Sequence, residues 1–189
     1  QITLTNFSPN IYNFDIDWDN DGVFDSLNVT GTIIHQYPDT GTYTVRIRGQ
    51  FPIASFGGNN VIGGNYLTDH EKVTSIDQWG TQSFLGISFA RCSNLRYNAV
   101  DVPNLTNVTN MSGMFVDATS FNGNINNWDV SNIVQMGGMF YGATSFNQSL
   151  NNWDVSSVIN MRGMFYGSSY NQSLNNWDVS SVRDMFRMF

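Results

Sequence analysis

The sequence predicts an α+β fold in two parts. A small antiparallel β-sandwich-like module comes first, and a right-handed solenoid with a short parallel strand and a short helix per coil follows. Three observations lead to this expectation. Alternating strand patterns fill the first 50 residues, and a unit of about 25 residues recurs in the second half. Hydrophobic residues make up 41% of the chain and charged residues only 12%, so a core can form beneath a mostly neutral surface.

Three stretches of the first part alternate apolar and polar residues, as antiparallel strands do. They are NIYNFDIDW (10–18), TGTIIHQY (30–37) and TGTYTVRIRG (40–49). The sequence PDTG separates the last two stretches and is typical of a turn, so we expect a turn to join them.

The repeat of the second part is set by tryptophan and methionine. They recur at Trp128, Trp153 and Trp177, and at Met111, Met136, Met161 and Met185. A degenerate earlier copy, FLGISFARCSNL (84–95), has Phe89 in the place of Phe115 and Cys92 in the place of Ala118. A period of this length indicates stacked supersecondary units.

Each unit has a segment with helical spacing and a segment with strand spacing. Met136, Met139 and Phe140 lie at i, i+3 and i+4, which predicts a short buried helical face. The following FNQSLNN alternates and directs Leu150 inward, which predicts a short strand. The predicted core of this unit is Met136, Met139, Phe140, Leu150, Trp153, Val155 and Val158.

Stacked copies place equivalent residues above one another, so repeated asparagines become ladders. Two ladders are expected: Asn127, Asn152 and Asn176, and beside it Asn126, Asn151 and Asn175. Asparagine both donates and accepts, so it can bond turn backbone within and between coils, with Asn152 and Asn176 bonding to backbone groups. The repeated aspartates Asp129, Asp154 and Asp178 have two interpretations: each accepts backbone N–H groups in its own turn, or together they hold a cation.

The repeat SFNQSLNNWDVSSVxNMxxMF resembles that of BspA-like bacterial surface proteins, a divergent leucine-rich-repeat family. The resemblance covers about 84–189, which we take as the repeat solenoid, and the chain ends inside a copy, which predicts truncation there. It implies a bacterial protein that is extracellular or on the cell surface, with some relatives acting as adhesins.

The first part resembles a PKD-type immunoglobulin-like module. The matching residues are Trp18, Asp21, Gly22, His35, Tyr37, Gly41, Tyr43 and Val45. The resemblance gives a β module over 1–56 and makes His35 a structural residue. Residues 57–83 are then a connector and a cap on the solenoid.

The acidic stretch DIDWDNDGVFD (15–25) is a candidate calcium site. Asp17, Asp19 and Asp21, followed by Gly22, match positions 1, 3, 5 and 6 of an oxygen-rich calcium loop. The Glu of position 12 is missing, so Asp25 is expected to supply a further ligand.

The alternative to calcium is an acidic turn without an ion. In that case Arg46 and Arg48, which alternate on one face of a neighbouring strand, provide the counter-charge. Apart from possible calcium, no cofactor is expected.

Three function classes compete: a non-enzymatic adhesion or ligand-binding protein, a structural spacer or display stalk, and an enzyme. The chain has two histidines, one cysteine and no familiar catalytic motif, which argues against an enzyme. Its net charge of −7 argues against nucleic acid, and no apolar run is long enough to span a membrane. The expected partner is therefore a protein or glycan on a host or neighbouring cell. The expected ligand-binding residues are Asn147, Gln148, Ser149, Asn171, Gln172 and Ser173.

Overall fold

The computed structural model describes residues 1–4, 11–57 and 69–189. Its strands are β1 (Ile2–Leu4), β2 (Asn13–Asp17), β3 (Ser26–Val29), β4 (Ile33–His35), β5 (Arg46–Gln50), β6 (Ile53–Gly57), β7 (Ser75–Ile76), β8 (Gly86–Phe89) and β9 (Arg96–Tyr97). Part of the predicted connector, residues 58–68, lies outside the described residues.

The first part is built from antiparallel strand pairs. One sheet has the order β3-β2-β5, and β1 pairs with β4 in a second sheet. Alternation in β2 sets its inner face, because Phe14 and Ile16 are buried while Asn13 is exposed. The stretches 30–37 and 40–49 contribute β4 and β5, which belong to different sheets and do not pair with each other. The register of β2 with β5 sets Asp15 opposite Arg48 and Asp17 opposite Arg46.

The two parts of the chain are joined through strand β6. It follows β5 closely, straddles the predicted boundary at residue 56, and pairs in parallel with β8. The Gln82 side chain bonds to both the amide and the carbonyl of Phe51, which ties the module to the end of the connector just before the first repeat-like segment. β7 and β9 form a further parallel pair next along the chain.

The structure corrects the predicted α+β solenoid and its leucine-rich-repeat plan. Among the described residues the only helix is a 3-10 turn, His70–Lys72, and the fold is otherwise β structure and turns. Beyond β9 the repeats contain no strand in the described chain and are joined by isolated parallel bridges. These link Asn110 to Gln135, Gln135 to Asn160, and Asn160 to Asp184. A coil with one strand and one helix is therefore wrong for this protein.

A glycine inside the predicted helix explains why the helix does not form. Gly138 has a φ of 62°, a left-handed conformation that interrupts an α-helix, and the equivalent glycines of neighbouring repeats share it. The backbone amides then alternate between two kinds of partner. The Met136 amide donates to the Asn160 carbonyl of the next repeat at 2.9 Å, whereas the Met139 amide donates to the Met136 carbonyl at 3.2 Å. Each repeat is thus a run of β-turns that also bonds to its neighbour.

The segment predicted as a strand is extended but pairs through side chains. Phe146 and Leu150 are buried and Asn147 is exposed, as the alternation predicted. The Asn147 amide donates to Oδ1 of Asn122 in the preceding repeat at 3.0 Å, and the Asn171 amide donates to Oδ1 of Asn147 at 2.8 Å. Asparagine side chains therefore take the role that carbonyl groups have in a backbone ladder.

A second asparagine link lies beside the tryptophans, and its acceptors belong to the expected ladder of Asn126, Asn151 and Asn175. The Asn152 amide donates to Oδ1 of Asn126, and the Asn176 amide donates to Oδ1 of Asn151, both at 3.1 Å. The first asparagine of each pair is the acceptor. The side chains of Asn152 and Asn176 are exposed, and the described structure has no bond from either to backbone, so that prediction is wrong.

The core of the repeats is a column of stacked rings. Phe56, Phe89, Phe115, Phe140, Phe165 and Phe189 follow one another with centroids 5.5–6.1 Å apart. The placement of Phe89 opposite Phe115 confirms the degenerate copy. All seven predicted core residues are buried, and the Trp153 indole donates to the Ile125 carbonyl of the preceding repeat at 3.0 Å.

Candidate functional site

The acidic loop follows β2 and brings three of its four predicted ligands together. One carboxylate oxygen from each of Asp17, Asp19 and Asp21 lies within 4.8 Å of the other two. Asp17 is fully buried at the end of β2, and its Oδ2 accepts the Gly22 amide at 3.0 Å. Gly22 has a φ of 94° and open space around its α-carbon, so glycine is needed there for the backbone turn.

The fourth predicted ligand, Asp25, is outside this group. Its Oδ2 accepts the Trp18 amide at 2.8 Å, and its own amide donates to the Ile16 carbonyl at 2.8 Å. These two bonds close the loop at its base. Asp25 thus holds the ends of the loop together, a role that spacing alone does not reveal.

The predicted arginines are both present beside the acidic residues. Arg48 Nε donates to Asp15 Oδ2, and Arg48 Nη2 lies 2.9 Å from the same oxygen. The Asn28 amide and then Arg48 hold the pKa of the Asp15 carboxyl below its usual range. Arg46 lies 3.7 Å from Asp17 Oδ2.

The repeated aspartates act within their own turns, as the first of their two interpretations expected. The Ser131 amide donates to Asp129 Oδ1 at 3.2 Å and the Ser156 amide to Asp154 Oδ1 at 3.1 Å. The Ser156 hydroxyl donates to the same Asp154 oxygen, and these two bonds lower the pKa of Asp154. Within 1–4, 11–57 and 69–189, no set of three potential metal ligands includes these aspartates. Asp154 and Asp178 instead border a groove of about 510 Å³ whose other walls are Asn151, Asn152, Trp153, Val155 and Asn176.

The predicted ligand-binding residues lie on the surface, but several are engaged in structural bonds. Asn147 Oδ1 accepts from both the Asn171 amide and the Gln172 side chain. Ser149 and Ser173 each accept an amide two residues later in the chain. Gln148 is half-buried, and Gln172 is exposed although its side chain donates to Asn147.

An exposed tyrosine pair is a surface that sequence reasoning missed. Tyr141 and Tyr166 are 43% and 38% exposed, and their rings stack with centroids 5.3 Å apart. The Arg187 guanidinium lies 6.0 Å from the Tyr166 ring. The preceding repeat has Val116 at the equivalent position. The sequence signal for this surface was therefore the change from MFV to MFY in successive repeats.

Cys92 and His35 both lie in packed surroundings. Burial raises the pKa of the Cys92 thiol to about 12, so this thiol is protonated near neutral pH. His35 stacks on Trp18 at 4.5 Å and contacts Tyr37 edge-on at 4.5 Å. Its ring is thus packed between Trp18 and Tyr37, in keeping with the structural role expected for it.

The fold and its surfaces define a protein of stacked, asparagine-linked repeats joined to an antiparallel β module. Residues 82–189 match the model of a family described as Mycoplasma protein of unknown function, DUF285. This match covers more than half of the chain, and the chain belongs to that family. Searches of curated proteins and of solved structures gave no significant match. The described part of the chain holds no helix with the length and apolar character to cross a membrane.

Proposed function

We propose that this chain is a non-enzymatic binding protein, secreted or displayed on a bacterial surface, whose repeats contact a glycan or protein ligand. The observation that supports it best is the exposed pair Tyr141 and Tyr166. Two large rings exposed in register leave apolar area in water, which a ligand can cover. Rings in this arrangement offer flat faces on which a sugar or a side chain can stack.

The surroundings of the pair favour an uncharged, polar ligand. Charged residues make up only 12% of the chain, and the repeat that carries Tyr141 continues with asparagine, glutamine and serine at 147–149. Arg187 adds guanidinium donors beside Tyr166. Sugar rings combine an apolar face with many hydroxyl groups, so a glycan fits this surface better than a strongly charged partner does. The resemblance to BspA-like surface proteins and the description of the family as a Mycoplasma protein agree with a bacterial setting.

The test is a binding screen of the whole chain against a glycan panel and a set of extracellular-matrix proteins. A double variant, Tyr141→Val with Tyr166→Val, removes the rings and uses the residue that Val116 already provides at the equivalent position. We expect binding to weaken by about five- to 150-fold, since two ring contacts of about 0.5–1.5 kcal/mol each are lost. Val100→Ala, at a fully exposed residue elsewhere, is the control and should bind normally.

The alternative function is a structural spacer with no ligand. It predicts that the unmodified chain binds no member of either panel. A ligand that binds the double variant as well as the unmodified chain would place the binding surface elsewhere. Gln148→Ala would then test the polar surface, with Gln172→Ala compared to it because the Gln172 side chain also donates to Asn147 Oδ1.

A further inference from the structure

The Asp17 side chain is the one fully buried charged group in the described chain. One of its two carboxylate oxygens has no hydrogen-bond partner. Its Oδ2 accepts the Gly22 amide, while its Oδ1 is buried and accepts no hydrogen bond. A buried carboxylate oxygen without a donor is unfavourable, and native structures rarely leave one so. A cation beside this carboxylate would satisfy it.

The exposed carboxylates of Asp19 and Asp21 lie close to the Asp17 carboxylate. Asp19 Oδ1 accepts the Asp21 amide at 3.3 Å, and Asp21 Oδ1 accepts the Val23 amide at 2.7 Å, so both side chains are held over the loop. One oxygen from each of the three residues lies within 4.8 Å of the others. A single ion can lie within about 2.8 Å of three oxygens so spaced, close to the Ca–O distances of about 2.3–2.6 Å.

Neither Arg46 nor Arg48 forms an ion pair with Asp17 Oδ1, the oxygen that has no partner. Arg48 is bonded to Asp15. Arg46 approaches Asp17 from the Oδ2 side at 3.7 Å, with 53% of its side chain exposed. In the described ranges no ion pair involves Asp19 or Asp21.

We propose that Asp17, Asp19 and Asp21 bind a divalent cation, and that calcium is the preferred ion. The donors are all oxygen, which suits a hard cation. Asp19 and Asp21 are exposed, so water can complete the six to eight ligands that calcium takes. Magnesium needs a tighter octahedral shell at about 2.0–2.1 Å, which an open loop with three carboxylates is poorly suited to impose. The open site and three charges lead us to expect a dissociation constant of about 10⁻⁴–10⁻³ M, as in extracellular calcium modules. This inference is independent of the ligand proposed for the repeats.

Calcium and terbium titrations of the whole chain test the proposal. Calcium should raise the thermal unfolding midpoint in a saturable way and a chelator should lower it, while sodium chloride at matched ionic strength should not reproduce the rise. Terbium should give luminescence sensitised by Trp18, which directly follows Asp17, and calcium should displace it. Asp19→Asn and Asp21→Asn should each weaken calcium binding at least about tenfold, because each removes a charge from the ligand set. Both residues are exposed, so their unfolding midpoints in chelator should match that of the unmodified chain.

Asp39→Asn is the matched control, because Asp39 is an exposed aspartate of the same module outside the cluster. Its calcium affinity should be unchanged. No midpoint shift at millimolar calcium together with no sensitised terbium signal would overturn the proposal. Equal losses in Asp39→Asn and Asp19→Asn would overturn it as well, because calcium would then be screening the net charge of the module. An equal response to magnesium would contradict the preference for calcium.

Discussion

Tyr170 holds a position that phenylalanine holds in the two preceding repeats. Its ring continues the stack of Phe121 and Phe146, with centroids 5.7 and 6.0 Å apart along the column. The difference is a hydroxyl group that is buried and makes no well-formed hydrogen bond. The nearby Leu150 carbonyl already accepts the Trp177 indole at 2.8 Å. Burial raises the pKa of Tyr170 to about 12, while the contact with the Leu150 backbone acts in the opposite direction, so the group is a neutral phenol.

Tyr170→Phe should therefore stabilise the protein. The change keeps the ring in its stack and removes a buried hydroxyl without a partner, whose desolvation costs about 1–3 kcal/mol. We expect the free energy of unfolding in urea to rise by about 1 kcal/mol, with an unchanged slope. Phe146→Tyr is the reverse change in the preceding repeat and should lower it. Equal or lower stability of Tyr170→Phe would contradict this expectation and would mean that the hydroxyl has a partner.

Burial of single residues could be predicted from sequence even where the element type could not. Met136, Met139 and Leu150 are buried as expected, because apolar periodicity reports which side chains face inward whatever backbone carries them. The role of Asp25 could not be predicted in the same way. Spacing offered it as a metal ligand, whereas it closes the loop through the Trp18 amide, a choice decided by backbone direction.

At the scale of the element, the prediction of a helix in each repeat was wrong for a reason that is visible in the sequence. The spacing of Met136, Met139 and Phe140 suits a helix and also suits a series of β-turns, since i and i+3 residues are close in both. Gly138 distinguishes the turns from the helix. Glycine in a helix interior is unfavourable by about 1 kcal/mol, and it readily adopts the left-handed conformation that these turns need. The bonds between repeats were anticipated in kind but not in position. Both neighbouring asparagines repeat equally well, so sequence alone could not show that Asn151 rather than Asn152 is the acceptor.

Asn151→Ala tests the asparagine link directly. It removes the oxygen that accepts the Asn176 amide, and we expect a loss of about 0.5–1.5 kcal/mol in the free energy of unfolding. Asn152→Ala is the matched control, because that side chain is exposed and bonds to no described residue. Its effect should stay within about 0.5 kcal/mol. Equal effects of the two substitutions, measured by urea unfolding, would argue against a specific link through Asn151.

At the scale of the molecule, the repeats are coupled to the β module and to one another by parallel contacts. β6 pairs with β8, and the phenylalanine column continues from Phe56 to Phe189. The period and the place of the first repeat could be read from the sequence, because they depend only on which residues recur. The backbone geometry of one repeat could not, because short segments without long strands or helices are fixed by bonds to their neighbours. The loop cluster was predictable from its spacing, whereas the tyrosine pair required knowing which face the turn exposes.

The acid sensitivity of the whole chain follows from its hydrogen-bonded carboxylates. The Ser156 hydroxyl and amide lower the pKa of Asp154, the Ser180 amide and hydroxyl lower that of Asp178, and the pKa of Asp15 is lowered as well. Each group has an ordinary value of 3.8 when unfolded, so below about pH 4 the unfolded chain binds more protons than the folded chain. Stability is therefore fully present above this value and is lost as the pH falls through the lower folded values.

A second electrostatic effect acts in the opposite direction. The chain has a net charge of −7, so its carboxylates repel one another. Protonation reduces this repulsion, which would stabilise the protein on acidification. Salt at about 0.15 M screens distant charges beyond about 8 Å, whereas the bonds to Ser156 and Ser180 are in direct contact and persist. We therefore expect thermal unfolding midpoints, measured in chelator, to be constant from about pH 8 to pH 5 and to fall below about pH 4. Asp154→Asn with Asp178→Asn keeps the acceptor oxygens but cannot titrate, so the fall should be smaller in this variant. A midpoint that rises as the pH is lowered from 5 to 3 would show that repulsion among the carboxylates outweighs their hydrogen bonds.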